Sequence, residues 1–258
     1  MSISRKDAAR FFYMFHSCFC VLLDSLALLF DYPSDEFLGE RRGVILEAAR
    51  QLLRGRRALT LLSHGHWDHY GRGFIEAVKG AESLTVVVSR DIARSEEAFL
   101  REVNAVLVVA EPHRTYLLGD VEVKTFESTD VGVAYLVKLN GLSVYHSGDL
   151  ARWIWPDLPH SLRETIDRLF REEVRRVASE EVDVAIVVAE PRLPGWGGVD
   201  YFLEEVSPTY LVPAHLWGKA ELTENIKLEM QGLYPSTHFV TYAKEGEEIL
   251  VLPKTLTS

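Results

Sequence analysis

Six consecutive positions hold three imidazoles and a carboxylate, in the stretch Ser63-His64-Gly65-His66-Trp67-Asp68-His69. His64 and His66 are two apart, so on an extended chain their side chains point to the same side. Asp68 and His69 follow a turn and can approach from another direction. The stretch thus offers two groups of nitrogen and oxygen donors, the ligand chemistry of zinc and its first-row neighbours. Ordinary loop histidines are the plain alternative. Three of the chain's 9 histidines in one turn, with an aspartate between them, argue instead for a metal site.

The surroundings of this stretch are those of an α/β protein. The apolar run 58–62 reads as a strand entering it. Residues 71–79, with Phe74, Ile75 and Val78 at helical spacing, read as a short helix leaving it. Upstream, residues 40–56 carry arginine and glutamate on one face and Val44, Ile45, Ala48, Leu52 and Leu53 on the other, as expected of an amphipathic helix over a sheet. Strands are expected over 84–89, 105–110, 114–118, 121–126, 132–139, 142–146, 182–189 and 206–212, with helices over 91–103 and 162–177. Asn140-Gly141 between two apolar runs is a strong hairpin signal. Residues 244–248 read as a hairpin turn into a last strand.

Arg5, Lys6 and Arg10 before the apolar run 11–23 give the N-terminus the look of a secretion signal. His16 and Ser17 interrupt that run, Asp24 ends it, and a second apolar segment, 26–30, comes next. A buried β-hairpin around Asp24-Ser25 accounts for this better than a signal or a membrane span. The two cysteines of the chain, Cys18 and Cys20, would lie on the same side of one strand, too close for a usual disulfide. Buried free thiols fit a reducing cytoplasm. A length of 258 residues suits one large domain, and a net charge of −10 speaks against a broad grip on nucleic acid or an anionic membrane.

His-x-His-x-Asp-His resembles the signature of the metallo-β-lactamase superfamily, within it a compact branch of metal-dependent hydrolases distantly similar to the ascorbate-phosphate lactonases. The resemblance implies one four-layer αββα sandwich spanning residues 1–258, with metals at one edge of its two sheets. It extends to Tyr145-His146-Ser147-Gly148-Asp149, where Asp149 matches a carboxylate that bridges two metals, and to Pro213-Ala214-His215, where His215 matches the last ligand. By the same resemblance His64 and His66 hold one ion, and Asp68, His69 and His215 the other. Asp68 doubles as proton shuttle, with Asp149 the other catalytic residue. Asp31 becomes a candidate partner for a ligating histidine, or else a loop carboxylate that only turns the chain. His146 is read as packing or supporting, His113 as an exposed loop residue, and His160 and His238 as structural residues rather than ligands.

One slot departs from the pattern. The superfamily usually supplies a further histidine near Glu127-Ser128-Thr129-Asp130, and Ser128 stands there. Either Asp130 completes that site with oxygen, or the site is weak, or the segment is a polar turn.

The expected function is therefore hydrolysis with one or two zinc ions, manganese or iron being alternatives. Metal-bound water, acidified from ~15.7 to roughly 7, would attack a small ester, lactone or phosphodiester. The acidic-Pro-Arg turn Glu190-Pro191-Arg192 either offers a guanidinium to an anionic substrate or pairs internally. Trp153 and Trp155 either wall a substrate pocket or anchor a loop. A scaffold without catalysis and a metal-dependent nuclease are the competing classes; the short acidic chain suits the nuclease poorly.

Overall fold

The computed structural model describes residues 8–253. The apolar run 11–23 is split by the turn His16-Ser17 into β1 (Ala8–Phe15) and β2 (Cys18–Leu23), and the turn Asp24-Ser25 leads into β3 (Leu26–Phe30). The expected hairpin is thus the second half of an antiparallel meander, with Phe15 opposite Cys18 and Leu23 opposite Leu26. Both turns begin on a residue with positive φ, His16 at 56° and Asp24 at 56°. Arg5 and Lys6, the basic flank of the signal-like reading, lie outside the described residues. Among the described residues no helix is long and apolar enough to cross a membrane.

The chain continues through α1 (Asp35–Leu38), a 3-10 turn (Gly39–Arg41), α2 (Arg42–Leu53), β4 (Arg57–Leu62), α3 (Phe74–Ala77), β5 (Ser83–Ser89), α4 (Arg90–Ser95), α5 (Glu97–Glu102) and β6 (Val106–Ala110). Helix α2 buries Ile45, Leu46, Ala49 and Leu53, the i, i+1, i+4, i+8 stripe of an amphipathic helix. The helix expected over 71–79 is reduced to one turn, and that over 91–103 breaks at Glu96, whose φ of −111° is not helical. Then come β7 (Thr115–Leu118), β8 (Val121–Glu127), β9 (Val133–Leu139), β10 (Leu142–His146), α6 (His160–Ala178), β11 (Val184–Val188), α7 (Gly195–Val206), β12 (Tyr210–Ala214), α8 (Leu222–Met230), β13 (His238–Phe239) and β14 (Glu247–Pro253). The strand expected from 206 begins at Tyr210, because Val206 closes α7. That helix was hidden by its opening, where Trp196, Gly197 and Gly198 take left-handed φ values.

The chain divides into two compact units. Among the described residues the first comprises 8–110, Asn140–Leu142 and 242–253, the second Glu111–Leu139 and Ser143–Thr241. Among the described residues the first unit's sheet has seven strands in the order β14-β1-β2-β3-β4-β5-β6, and the second unit's seven run β13-β12-β11-β10-β9-β8-β7. Both sheets are mixed. β3 to β6 are parallel in the first, β10 to β13 in the second. The expected α/β class holds in each unit. The hairpin expected at residues 244–248 is not formed, since β14 pairs antiparallel with β1, Ala8 opposite Pro253.

In the first unit, Ile45, Leu46, Ala49 and Leu53 of α2 pack with Phe12, Met14, Cys18, Cys20, Leu22, Ala27 and Leu29 of the sheet. Both cysteines are free and buried in this core. Burial pushes the Cys20 thiol up to about 12 and Cys18 well above the usual thiol range, so both stay protonated hydrophobes near neutral pH. The parallel runs decide where a site can form. Strands that point the same way deliver the loops after them to one edge of a sheet, where α/β proteins place their ligands.

Candidate metal centre

At the first unit's edge, β3 ends in Asp31 and β4 ends in the histidine stretch. The two loops are stitched by backbone bonds: Tyr32 N–H to His69 O (2.9 Å), Ser34 N–H to Trp67 O (2.8 Å) and Asp31 N–H to Leu61 O (2.9 Å). His66 O closes the turn by accepting from the N–H groups of His69 and Tyr70. Gly71 allows the close approach, because a Cβ there would lie 2.4 Å from Ser34 Cα. From the β5 end, Asp91 Oδ2 accepts the Gly65 N–H at 2.7 Å.

Asp31, fully buried and at φ 50°, organises the donors. Its Oδ1 accepts from Ser63 N–H (2.7 Å), and its Oδ2 from Ser63 Oγ–H (2.8 Å) and His69 Nδ1 (2.7 Å). Because the Ser63 hydroxyl donates to Asp31, its oxygen is left to accept from His64 Nδ1, 3.0 Å away. Both histidines are thereby set as Nδ1–H tautomers whose Nε2 carries the lone pair, the arrangement a metal-ligating imidazole needs. Of the two readings of Asp31, the geometry supports the partner of a histidine. His64 and His66 stack edge to face with centroids 4.7 Å apart, His64 buried and His66 exposed. Asp68 Oδ2 stands 3.9 Å from His69 Nε2.

One residue that the sequence did not single out joins them. His16, fully buried in the β1–β2 turn, brings its Nε2 to 3.3 Å from Asp68 Oδ2. His16, Asp68 and His69 each offer a ligand atom within 4.8 Å of the others. In the sequence this histidine stands among apolar residues far from the motif, and its only signal was that it interrupted the run.

The second unit presents its own donors at the ends of β10 and β12. His215 Nε2 lies 3.7 Å from Asp149 Oδ1, both side chains buried. His146 serves that turn, its Nδ1 accepting the Gly148 N–H at 3.1 Å. Asp149 O accepts from the Trp153 indole (2.9 Å). Asp130, exposed, places a carboxylate oxygen within 4.8 Å of one from Asp149. Ser128 Oγ accepts the Asp130 N–H at 3.1 Å and so caps a polar turn.

Around His215 stand Trp153 and Trp217, edge to face with ring centroids 5.4 and 5.2 Å away, and Trp153 stacks on Trp155 at 6.4 Å. Arg192 lies over Trp155 (4.9 Å) and Trp217 (5.8 Å). Its Nε and Nη2 are committed to Glu190, at 2.7 and 2.8 Å. Burial alone would raise the Glu190 carboxyl, but these bonds outweigh it and hold the group below its ordinary value. His113 is an exposed loop residue, as expected, and its Nε2 bonds Glu173 at 2.9 Å, while Glu173 also accepts the Glu127 N–H. His160 pairs at the surface with Glu164, and His238 packs on Tyr210.

Two mixed sheets with flanking helices match the metallo-β-lactamase fold. The solved structures that resemble the chain are proteins of that fold. Igni18, a metallo hydrolase of the archaeon Ignicoccus hospitalis, matches with a TM-score of 0.62 at 13% identity, over 95% of this chain and 98% of its own. The metallo-β-lactamase fold protein YhfI of Bacillus subtilis matches at 0.60 and 15%, over 95% and 100%. A possible metal-dependent hydrolase of Veillonella parvula gives 0.56 and 11%, over 95% and 98%. No protein-family model matches the sequence. No curated protein matches it either.

Proposed function

We propose that the protein is a metal-dependent hydrolase of small-molecule esters, lactones or phosphodiesters. The observation that carries this reading is the Asp31 network, which fixes the tautomers of His64 and His69 beside a buried carboxylate, Asp68. Imidazole and carboxylate donors without thiolate suit zinc, with manganese or iron as alternatives. His64 and His66 would hold one ion, and Asp68, His69 and His215 the other, with Asp149 between them. When bound, such an ion lowers the pKa of water and polarises the scissile carbonyl or phosphoryl group.

The chain's own residues do the rest. Asp68 would accept and pass on a proton. Trp153, Trp155 and Trp217 offer apolar faces beside His215 of the kind that line small-molecule sites. An anionic substrate would meet only the outer edge of Arg192, since Glu190 holds the rest of the fork. Lactones are the first substrates to try, since the branch that the motif resembles is distantly similar to the ascorbate-phosphate lactonases. The free, buried thiols fit residence in a reducing cytoplasm. The net charge of −10 disfavours the nuclease alternative. A metal-binding scaffold without catalysis would bind ions and turn over nothing.

The test begins with metal analysis of purified protein and a panel of lactone, ester and phosphodiester substrates. Asp149→Ala is expected to abolish hydrolysis while circular dichroism and melting stay near wild type. Hydrolysis near the wild-type rate at unchanged metal content would remove Asp149 from the reaction.

A further inference from the structure

We infer that His16 is itself a metal ligand, so that the first unit alone carries a three-donor site made of His16, Asp68 and His69. The inference rests on the metal-binding half of the proposed function and is independent of hydrolysis. Three observations carry it.

The donors converge. The three side chains are buried, and each presents a ligand atom within 4.8 Å of the other two. The His16 and His69 rings meet nearly perpendicular, at 75°, with centroids 5.6 Å apart, so neither stacks over the other's nitrogen edge. Two imidazoles and one carboxylate are a recurrent set at zinc centres.

The donors are held. Asp31 fixes the His69 ring through Nδ1 at 2.7 Å. At His16 the backbone N–H donates to the Tyr13 hydroxyl (3.2 Å), and the imidazole meets Phe37 edge to face at 5.0 Å. The ring is therefore clamped with Nε2 toward Asp68.

The backbone is adverse. His16 opens a two-residue turn with φ at 56°, while Ser17 does not share a positive φ. Turns of that pattern ask for glycine at the first position. A histidine there strains the backbone, and glycine or asparagine would make the turn with less strain. What a histidine adds at this turn is an imidazole whose Nε2 faces Asp68.

The rival role is a hydrogen bond that merely positions Asp68. The full-length protein, labelled with nitrogen-15 at histidine and stripped by a chelator, separates the two when titrated with zinc. Ligation predicts that the Nε2 resonances of His16 and His69 both move on stoichiometric zinc. A His69 shift with His16 unmoved overturns the inference but leaves the metal reading intact. If neither moves and no zinc is bound, the metal reading fails with it. A second readout uses His16→Asn, which suits the turn. Competition against a chromophoric chelator should show zinc affinity falling by more than ~100-fold, beyond the 10–100-fold typical of lost supporting contacts. Metal-free His16→Asn should melt no lower than metal-free wild type. Unchanged zinc affinity, with an unchanged spectrum of the cobalt-substituted protein, would also overturn it.

Discussion

Asp31 shows how much one carboxylate can settle. It accepts from Ser63 N–H, Ser63 Oγ–H and His69 Nδ1, so a single side chain fixes a backbone turn, a hydroxyl rotor and two imidazole tautomers. Asp31→Asn would turn one acceptor into a donor facing other donors. Zinc affinity should then fall by about 10–100-fold, with a loss of about 1–3 kcal/mol in stability. Chelator competition and urea unfolding measure the two separately, and an unchanged zinc affinity would refute the tautomer argument. At this scale the sequence was legible wherever donors were close along the chain: His64, His66, Asp68 and His69 announce themselves, and Asp31 could be guessed from a strand end. His16 could not, because its approach to Asp68 depends on the β1–β2 turn and on nothing local.

Between elements, charged side chains tie helices and loops to the second sheet. Glu180, just past α6, takes Lys124 of β8 at 2.8 Å and Lys138 of β9 at 2.7 Å. Burial alone would raise its carboxyl, but the two lysines outweigh that and hold it below the ordinary 4.5. A depressed folded value means the contribution is present above the unfolded pKa and lost as pH falls through the folded one. The melting temperature should therefore drop more steeply below about pH 4.5 in wild type than in Glu180→Gln; parallel melting curves from acid to neutral pH would contradict this. Arg192 makes a similar tie in the turn after β11. With Nε and Nη2 on Glu190, Arg192→Met should lower the melting temperature and affect anionic and neutral substrates alike. A raised KM for anionic substrates only, at unchanged melting temperature, would restore the anchoring role. Elements were read well where apolar runs met clear turns, as at Asn140-Gly141. The helix α7 stays hidden because glycines mask its start, and the last strand is legible as a strand while its remote partner, β1, is not.

Across the whole molecule, each unit gathers its candidate donors at the C-terminal ends of parallel strands. Asp31 and the histidine stretch come after β3 and β4; Asp149, Glu190 and His215 come after β10, β11 and β12. The donor sets are unequal. Asp68 and His69 are buried and have His16 beside them, whereas His66 is exposed and Ser128 caps a turn. If two ions bind, the one assigned to His64 and His66 should be the weaker. Anomalous scattering above and below the absorption edge of the bound metal would report the occupancies, and two full, equally tight sites would contradict the ranking.

The pairing of β1 with β14 also sets a timetable. Phe11 and Phe12 find their partners, Leu250 and Glu248, only after the chain has grown from residue 12 to residue 248 and beyond. At ~5–20 residues per second, synthesis leaves β1 with one edge bare for on the order of 10–50 s. During that interval a strand of phenylalanines, tyrosine and methionine is open to any other extended chain nearby. A newborn copy is thus most exposed to misassembly along β1 until β14 is made and closes that edge.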